Sequence, residues 1–317
     1  MKGDLKLLTS TIYHKGKFLL ENELMPPEKS CSFCLSENRM KVANIQKNPD
    51  VYLYECLQCH AVSASRMPFK EVLDLYYSSY YDKNRSQVTA GNIDQFAKHL
   101  YNGFSKHLSQ GDTFSILDFG GGNGSIAYAL AKDYLLKSYK NVSIAVIDYA
   151  GIKESDIPTI SLKQYQSLSQ IDGEEFNLII ASAILEHIPY PEADIRKLFA
   201  LLKENGLFYA RTPYILPFYS LLQRLGVQID FTFPAHLHDL GPKFWNKTVN
   251  KLYDNYKFRT LRSGPSMVET SFHQDFVRAL VAHLFKWPWY LFRDFYGYIG
   301  GWEAFIIKSE LVSAYDK

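Results

Sequence analysis

The sequence predicts an α/β fold, a mainly parallel sheet covered by helices on both faces, preceded by a small β-ribbon held by four cysteines. Three observations carry this expectation. Apolar strand-like runs alternate with amphipathic helical stretches between residues 113 and 211, the signature of a sheet buried on both faces. One such run, Phe114 to Leu117, breaks into Gly120, Gly121, Gly122 and Gly124 and restarts as a helix from Ser125 to Leu136. That order gathers backbone N–H groups and a helix N-terminus at a strand's carboxyl end, where nucleotide-type ligands bind. Upstream, Cys31-Ser-Phe-Cys34 and Cys56-Leu-Gln-Cys59 enclose two strand-like pieces.

The 317 residues suffice for one large domain or two, and 47% hydrophobic with 21% charged content excludes a disordered chain. Charges nearly cancel, with 35 basic and 33 acidic residues, which argues against a nucleic-acid polyanion as the main partner. Met1 to Leu20 carries charges throughout and lacks the apolar core of a secretory signal. No stretch approaches the roughly 20 apolar residues that span a bilayer. A cytoplasmic protein is expected, in keeping with cysteines that fall in two close pairs.

Residues 1–30 form a lead-in, with a hairpin expected around Lys15-Gly16 between Thr11 and Leu20. Residues 31–88 are read as a ribbon and a Tyr-rich linker helix, with strands at Lys41–Ile45 and Val51–Tyr54 and the helix at Met67–Tyr77. Two residues between cysteines place both sulfurs on one tight turn, and two such turns make a closed tetrahedral cage for a structural zinc ion. Two disulfides or a redox pair are the alternatives; a reducing compartment disfavours the first and the lack of a surrounding βαβ pattern the second. His60 follows the last cysteine as a bystander. The polar stretch Asp82–Gly91 marks a boundary, and residues 89–317 form the main domain.

Asn92 caps a helix whose Ile93, Phe96, Ala97, Leu100, Phe104 and Leu108 recur at helical spacing. Strands follow at Val142–Ile147, at Thr159–Leu162 and at Phe176–Ala181. A helix over Ala193–Lys203 is expected to stop at Gly206, ahead of a strand over Leu207–Arg211 that Thr212-Pro213 ends. Further helices are expected over Leu216–Leu225 and from Pro242 to Tyr253, with an irregular aromatic and histidine-rich segment, Asp230 to Asp239, between them. Two last strands, Lys257–Leu261 and Trp302–Lys308, flank an aromatic insertion at 272–301.

The glycine motif alone leaves two cofactors open. Gly122-Asn-Gly124-Ser-Ile-Ala127 fits the dinucleotide pattern, so an NAD-linked oxidoreductase competes. Against it stand Asp118 immediately before the glycines, Asp148 ending the next strand, and Ala181-Ser-Ala-Ile-Leu-Glu-His-Ile-Pro189 after the fourth. Together Asp118-Phe-Gly-Gly-Gly-Asn-Gly124, Asp148 and Leu185-Glu-His187 resemble the motifs of class I S-adenosylmethionine-dependent methyltransferases, over roughly residues 92–308. The resemblance implies a Rossmann-like seven-stranded sheet closed by an antiparallel pair. It implies S-adenosyl-L-methionine held by Asp118, Gly120, Gly122 and Gly124 at its methionine end, by Asp148 at the ribose, and by a pocket lined by Ser182.

A four-cysteine zinc module ahead of this core resembles a bacterial subgroup that modifies sugars and cell-surface glycans, including sugar C-methyltransferases. Those enzymes use a Glu-His pair after the fifth strand. Here His236 matches the histidine, but Ala235 stands at the glutamate position, which shifts the expectation from C- to O-methylation of a sugar or other small-molecule hydroxyl. His236 is the first candidate for the general base, since a hydroxyl is a poor nucleophile near pH 7. Glu186 and His187 are read either as a base or acceptor-orienting pair, or as a helix start. Tyr214 lies near the expected acceptor side. The insertion's aromatics at 285–298 could form a lid, a homodimer contact or a peripheral membrane contact. An RNA methyltransferase and a non-catalytic binding protein are the remaining alternatives.

Overall fold

The computed structural model describes residues 8–9, 15–83, 92–152, 155–227, 229–252, 257–267 and 276–309. A short β1 (Leu8–Thr9) runs parallel to β10 (Ile229–Asp230). The expected hairpin lies partly outside the described residues. From Lys15 to Leu20 the chain is irregular, and the Gly16 N–H donates to the Asp230 carboxylate at 2.7 Å.

The cysteine ribbon is larger than the sequence implied. β2 (Arg39–Gln46) and β3 (Val51–Cys56) pair antiparallel as expected, and β4 (Val62–Ala64) adds to β3. The fourth strand of this sheet comes from 175 residues away: β11 (His238–Asp239) pairs with β4, placing His238 opposite Ser63. The segment read as irregular is so from Phe231 to Leu237, and only its last two residues join the ribbon as a strand. A two-residue strand has too little pattern to be read from sequence. α1 (Lys70–Lys83) follows, and the polar stretch after it falls mostly outside the described residues.

α2 (Ile93–Phe104) is capped as expected, with the Asn92 side chain accepting from the Gln95 N–H at 3.0 Å. β5 (Thr113–Phe119), α3 (Ser125–Asp133), β6 (Asn141–Ile147), β7 (Ile160–Tyr165) and β8 (Phe176–Ser182) then alternate. α4 (Glu192–Ala200) ends before Gly206, which is not its stop. Instead β9 (Leu202–Tyr214) begins at once, makes a left-handed turn at Asn205 (φ 57°), and runs on through Thr212-Pro213. Pairing with β13 overrides the proline here, because a strand can carry Pro where its N–H is not needed by the ladder.

α5 (Leu216–Arg224) follows, then a π-turn at Phe244–Thr248 and α6 (Val249–Leu252). β12 (Lys257–Pro265), α7 (Phe276–Phe292) and β13 (Gly300–Ser309) complete the chain. Pro288 sits inside α7. Trp289 beside it is buried against Trp302 with ring centroids 5.4 Å apart, and the Lys286 ammonium donates to the Ser266 carbonyl at 2.5 Å. These contacts hold the helix through the residue that costs about 3 kcal/mol in a free helix.

The main sheet has the order β12-β13-β9-β8-β5-β6-β7, parallel except for β13, which runs antiparallel between β12 and β9. This is the seven-stranded sheet with an antiparallel closing pair that the sequence predicts. β5 lies between β6 and β8, so the chain crosses in opposite directions from the glycine strand and opens a crevice at its carboxyl end. Two apolar layers cover the faces: α2 and α3 pack on one, while α4 and the segment around Phe244 and Trp245 pack on the other. Cys31, Phe33, Cys56 and Cys59 belong to that second layer, so the ribbon and the sheet share a core.

Inside the first layer Glu303 is fully buried on β13. It accepts from His99 Nε2 at 2.9 Å and the Tyr209 hydroxyl at 3.1 Å, and pairs with Arg262 at 3.2 Å. Nothing in the spacing of these four residues announces the network.

Candidate active site

The glycine turn is built by backbone geometry. The Gly120 N–H donates to the Ile147 carbonyl at 2.8 Å, tying the turn to β6, and Gly120, Gly122 and Gly124 take φ values of 71°, 58° and 76°. Only glycine adopts these without strain. Asp118 does not face outward. It is buried beneath the turn, its carboxyl group filling the space a Gly121 side chain would need, and its Oδ2 has no hydrogen-bond partner among the described residues. A Cβ at Gly122, by contrast, would meet nothing within 4 Å, so open space lies against the outer surface of the turn.

Asp148, at the end of β6, locks to this turn. Its Oδ2 accepts from the Gly122 N–H at 2.8 Å and its Oδ1 from the Ala150 N–H at 2.9 Å. Gln164 donates from Nε2 to the Asp148 carbonyl at 2.9 Å. Tyr149, beside it, is 77% exposed, an aromatic face that the sequence motifs do not single out. Ser182 ends β8, where its hydroxyl accepts from Arg211 Nε at 2.9 Å.

Burial, and then the nearby Asp148 charge, push the Asp118 carboxyl up to about 7. A folded-state pKa above the unfolded one means the native state holds the proton more tightly. The stability this confers is full below pH ~4 and is lost as pH rises through ~7. Asp118→Asn is therefore expected to gain stability relative to the parent between pH 4 and 8, by up to roughly 4 kcal/mol. Urea unfolding of both proteins at the two pH values measures it, and parallel pH profiles would contradict it.

Ile184 links the turn to the second half of the site, since its side chain occupies the space beside Gly120. Next to it, the 3-10 turn Leu185–His187 carries Glu186, only 2% exposed, and His187. The Glu186 carbonyl accepts from the Leu237 N–H at 2.8 Å, which brings in the segment before β11. The three side chains expected to act on the acceptor, Glu186, His187 and His236, thereby come together, with one donor atom from each within 4.8 Å of the others. The rings of His187 and His236 lie 5.1 Å apart. A carboxylate thus stands beside His236 even though residue 235 is alanine.

Glu186 and His187 lie in the short 3-10 turn Leu185–His187, ahead of α4, which begins at Glu192. His187 Nδ1 lies 2.7 Å from the Ala235 carbonyl. A carbonyl only accepts, so Nδ1 carries a proton, and Nε2 lies 4.0 Å from Glu186 Oε1. Tyr77 of α1 reaches into this contact, its hydroxyl 3.0 Å from His187 Nδ1 and 3.3 Å from the Ala235 carbonyl. The sequence offered Tyr77 only as one of a tyrosine cluster; that it meets His187, 110 residues on, is a tertiary fact.

His238 plays a different part. It is fully buried, with Nδ1 2.9 Å from the Ser63 hydroxyl and Nε2 donating to the Ile188 carbonyl at 2.8 Å. Burial pushes its pKa down to about 4, so it is a neutral tie between ribbon and core. Asp239 accepts from the Ile215 and Leu216 N–H groups at 2.5 and 3.1 Å and so anchors the start of α5. Tyr214 packs against Gly241 and Trp302.

The four cysteines converge with their sulfurs within 4.8 Å of one another and 3.5 Å apart for the Cys31–Cys59 and Cys34–Cys56 pairs. All four are free thiols, far outside the ~2.05 Å disulfide length. Sulfurs about 2.3 Å from a tetrahedral zinc ion stand near 3.8 Å apart, so the donor set fits. The hydrogen bond between Cys59 and Cys31 holds the Cys31 thiol down while it and burial push Cys59 up, the conflict a dication relieves. His60 turns away with Nδ1 3.3 Å from Glu55, at φ 60° in the left-handed region.

The outer face of α7 is a stripe of exposed apolar side chains, among them Leu284, Trp287 and Leu291, each more than 60% exposed. Among the described residues no helix is long and apolar enough to cross a membrane.

Comparison with known proteins gives three results. Residues 81–262, more than half of the chain, match a family described as a methyltransferase domain. Over 104 residues the chain is 30% identical to the ubiquinone biosynthesis O-methyltransferase of Histophilus somni, covering 31% of this chain and 44% of that protein. Over 99 residues it is 29% identical to the enzyme of the same name from Coxiella burnetii, covering 31% and 42%. The chain therefore spans less than half the length of these relatives. Similar solved structures include the plantazolicin methyltransferase BpumL in complex with SAH, 14% identical with a TM-score of 0.44 over 76% of this chain and 91% of that one. The YcgJ protein of Bacillus subtilis is also 14% identical, with a TM-score of 0.42 over 68% of this chain and all of that one.

Proposed function

The chain belongs to the methyltransferase-domain family, and from that membership we propose that it moves a methyl group from S-adenosylmethionine to an acceptor hydroxyl. The observation that carries this reading is the crevice at the sheet's carboxyl end. There the open-faced Gly122 and the locked Asp148 lie on one side of Ile184, and Glu186, His187 and His236 lie on the other. The residues fit the cofactor: open space against Gly122 for its methionine end, Asp148 for the ribose hydroxyls, and exposed Tyr149 as a face for the adenine. Ser182 would line the same pocket.

When bound, the cofactor supplies a methyl group already activated on a sulfonium. The chain must then hold the acceptor oxygen in line with that methyl and handle its proton. Glu186, His187 and His236 are the groups assigned to this task, with His236 as general base the simplest form. Zinc in the four-cysteine cage has a structural role, since four thiolates leave it no open position.

For the acceptor, a sugar hydroxyl in glycan or natural-product biosynthesis is the first reading, supported by the cysteine module ahead of the core. The relatives' name, O-methylation in ubiquinone biosynthesis, also supports an oxygen acceptor. The exposed apolar stripe on α7 favours, as a second reading, an acceptor with an apolar tail presented at a lipid surface.

Isothermal titration with S-adenosylmethionine and with NAD tests the cofactor. Micromolar binding of the first is expected, weakened at least ~10-fold in Asp148→Ala, which loses a charge-assisted contact worth about 1.5–3 kcal/mol. Binding of NAD alone would end the reading. Turnover against nucleotide-sugars and long-chain phenols then separates the two acceptor classes.

A further inference from the structure

We propose that the outer face of α7, continued along α5, is a docking surface that lays the protein on an anionic bilayer without crossing it. Docking itself needs no methyl transfer. Its consequence for the acceptor deepens the second acceptor reading and rests on it.

A helix on a protein surface normally keeps polar side chains on its outer face. On α7, Leu280, Leu284, Trp287 and Leu291 fall on one line at helical spacing, and all four are exposed. Phe285 and Phe292 widen the face, and Phe295 just beyond the helix is 99% exposed. From Leu280 to Phe292 the only Lys, Arg, Asp or Glu is Lys286, which turns inward and is buried on the Ser266 carbonyl. The inner face is committed to Trp302 through Trp289, so rotation of the helix cannot hide the outer one.

α5 extends this surface. The Phe218 ring lies 5.3 Å from Phe285 and 5.5 Å from Tyr298, centroid to centroid. Phe218, Leu221 and Leu225 share one side of α5 by their spacing, and the last two are exposed.

The charge pattern selects the partner. Arg224 at the end of α5 and Arg293 just past α7 are exposed, and neither helix contains Asp or Glu. In the sequence from 276 to 299, Asp294 is the single acidic residue against Arg278, Lys286 and Arg293. The whole chain is balanced, 35 basic to 33 acidic, so this surface is cationic against its background. A second copy seated on it by a two-fold axis would bring two cationic surfaces together. A bilayer with anionic lipids instead attracts the arginines, takes up side chains of any shape, and suits Trp287 and Tyr290 at headgroup level. The 17 residues of α7 span ~25 Å, and such a helix lies in the interface with its apolar face ~5–10 Å deep.

The surface adjoins the crevice's end of the sheet. Tyr214, closing β9, pairs with Gly300 at the start of β13, and a Cβ at Gly297 would lie 3.4 Å from the Tyr214 hydroxyl. Because β9, β8 and β5 run parallel, the turn after α7 sits at the sheet end that carries the glycine turn. Docking brings that end to the lipid surface, where an acceptor reaches the crevice without its apolar tail entering water.

Vesicles of phosphatidylcholine mixed with phosphatidylglycerol, and of phosphatidylcholine alone, provide the test on the full chain. Trp245, Trp289 and Trp302 are buried, so Trp287 is the one exposed tryptophan and a native reporter. Its emission should shift to the blue with the mixed vesicles and be quenched by lipids brominated along their chains. The protein should cosediment with the mixed vesicles, and about 5-fold more weakly in Arg224→Gln or Arg293→Gln. Leu284→Glu and Leu291→Glu should each weaken cosedimentation at least ~10-fold, with melting and S-adenosylmethionine binding unchanged. Trp287→Phe should keep cosedimentation and lose the blue shift. No cosedimentation, or cosedimentation undiminished in both leucine variants, overturns the proposal. So does a dimer in sedimentation velocity that those variants split while vesicles stay unbound. These readouts contain neither methyl donor nor acceptor, so failed docking leaves the methyl transfer measurable, and failed turnover of long-chain phenols leaves docking measurable.

Discussion

Removing the zinc ion proposed for the four-cysteine cage is expected to abolish turnover, although the cage holds no residue of the crevice. The chain of contacts is short. Phe33, between Cys31 and Cys34, is almost fully buried with its ring edge-on to His238 at 4.9 Å and to Phe244 at 5.1 Å. The cage closes the turns that hold β3 and β4, and β4 pairs with the His238–Asp239 strand. The Ala64 N–H donates to the Leu237 carbonyl at 2.9 Å, one residue from His236. A structural zinc ion is worth roughly 10–16 kcal/mol in isolated modules, comparable to the ~5–15 kcal/mol that stabilises a whole domain.

Chelation should therefore release the ribbon and let the His236 segment drift. A displacement of about 1 Å in a positioning segment can cost ~100-fold in rate, and a larger loss is expected here. Cys56→Ser should reproduce it. Because ribbon and sheet share one apolar layer, thermal unfolding should remain a single transition that moves down on chelation. A zinc-free protein with unaltered turnover and melting would refute the linkage.

Substituting the glycine turn position by position should separate folding from cofactor binding. At Gly122 an added Cβ meets nothing within 4 Å, so Gly122→Ala costs only the left-handed backbone, about 1–2 kcal/mol. The methyl group would project into the open space assigned to the cofactor. A folded protein that has lost S-adenosylmethionine affinity by ~100-fold or more is expected. At Gly120 the added atom would lie 2.6 Å from Ile184, at φ 71°, so Gly120→Ala should instead lower stability by roughly 2–5 kcal/mol through strain and overpacking together. Titration calorimetry and thermal melts on the two variants give the comparison. Unchanged affinity in Gly122→Ala would place the cofactor elsewhere.

Much of this architecture was legible in the chain. The alternation of apolar strands and amphipathic helices gave the parallel sheet, because a strand buried on both faces must be apolar along its length. Asn92, the glycine run and the paired cysteines announced a cap, a left-handed turn and a cluster of four thiols, since each depends on chemistry within a few residues. The misreadings were of another kind. Local propensity makes Gly206 a helix stop and Thr212-Pro213 a strand end, whereas β9 runs through Gly206 and pairing with β13 carries it through the proline.

By itself, then, the sequence determined the fold class, the position of the cofactor-type turn and the cysteine donor set. All three rest on short-range spacing that survives without knowledge of the partners. Only the tertiary structure decided that His236 meets Glu186 and His187, that Tyr77 reaches across to them, that Asp118 lies under the turn, and that the ribbon borrows its fourth strand from His238–Asp239. Those contacts join residues about 50 to 175 positions apart, or depend on which way a side chain turns at a strand end. No local periodicity encodes them, because their free energy appears only when separate elements are packed into one core. The glycine turn is the sequence-readable half; the cluster of Glu186, His187 and His236 exists only in the folded chain.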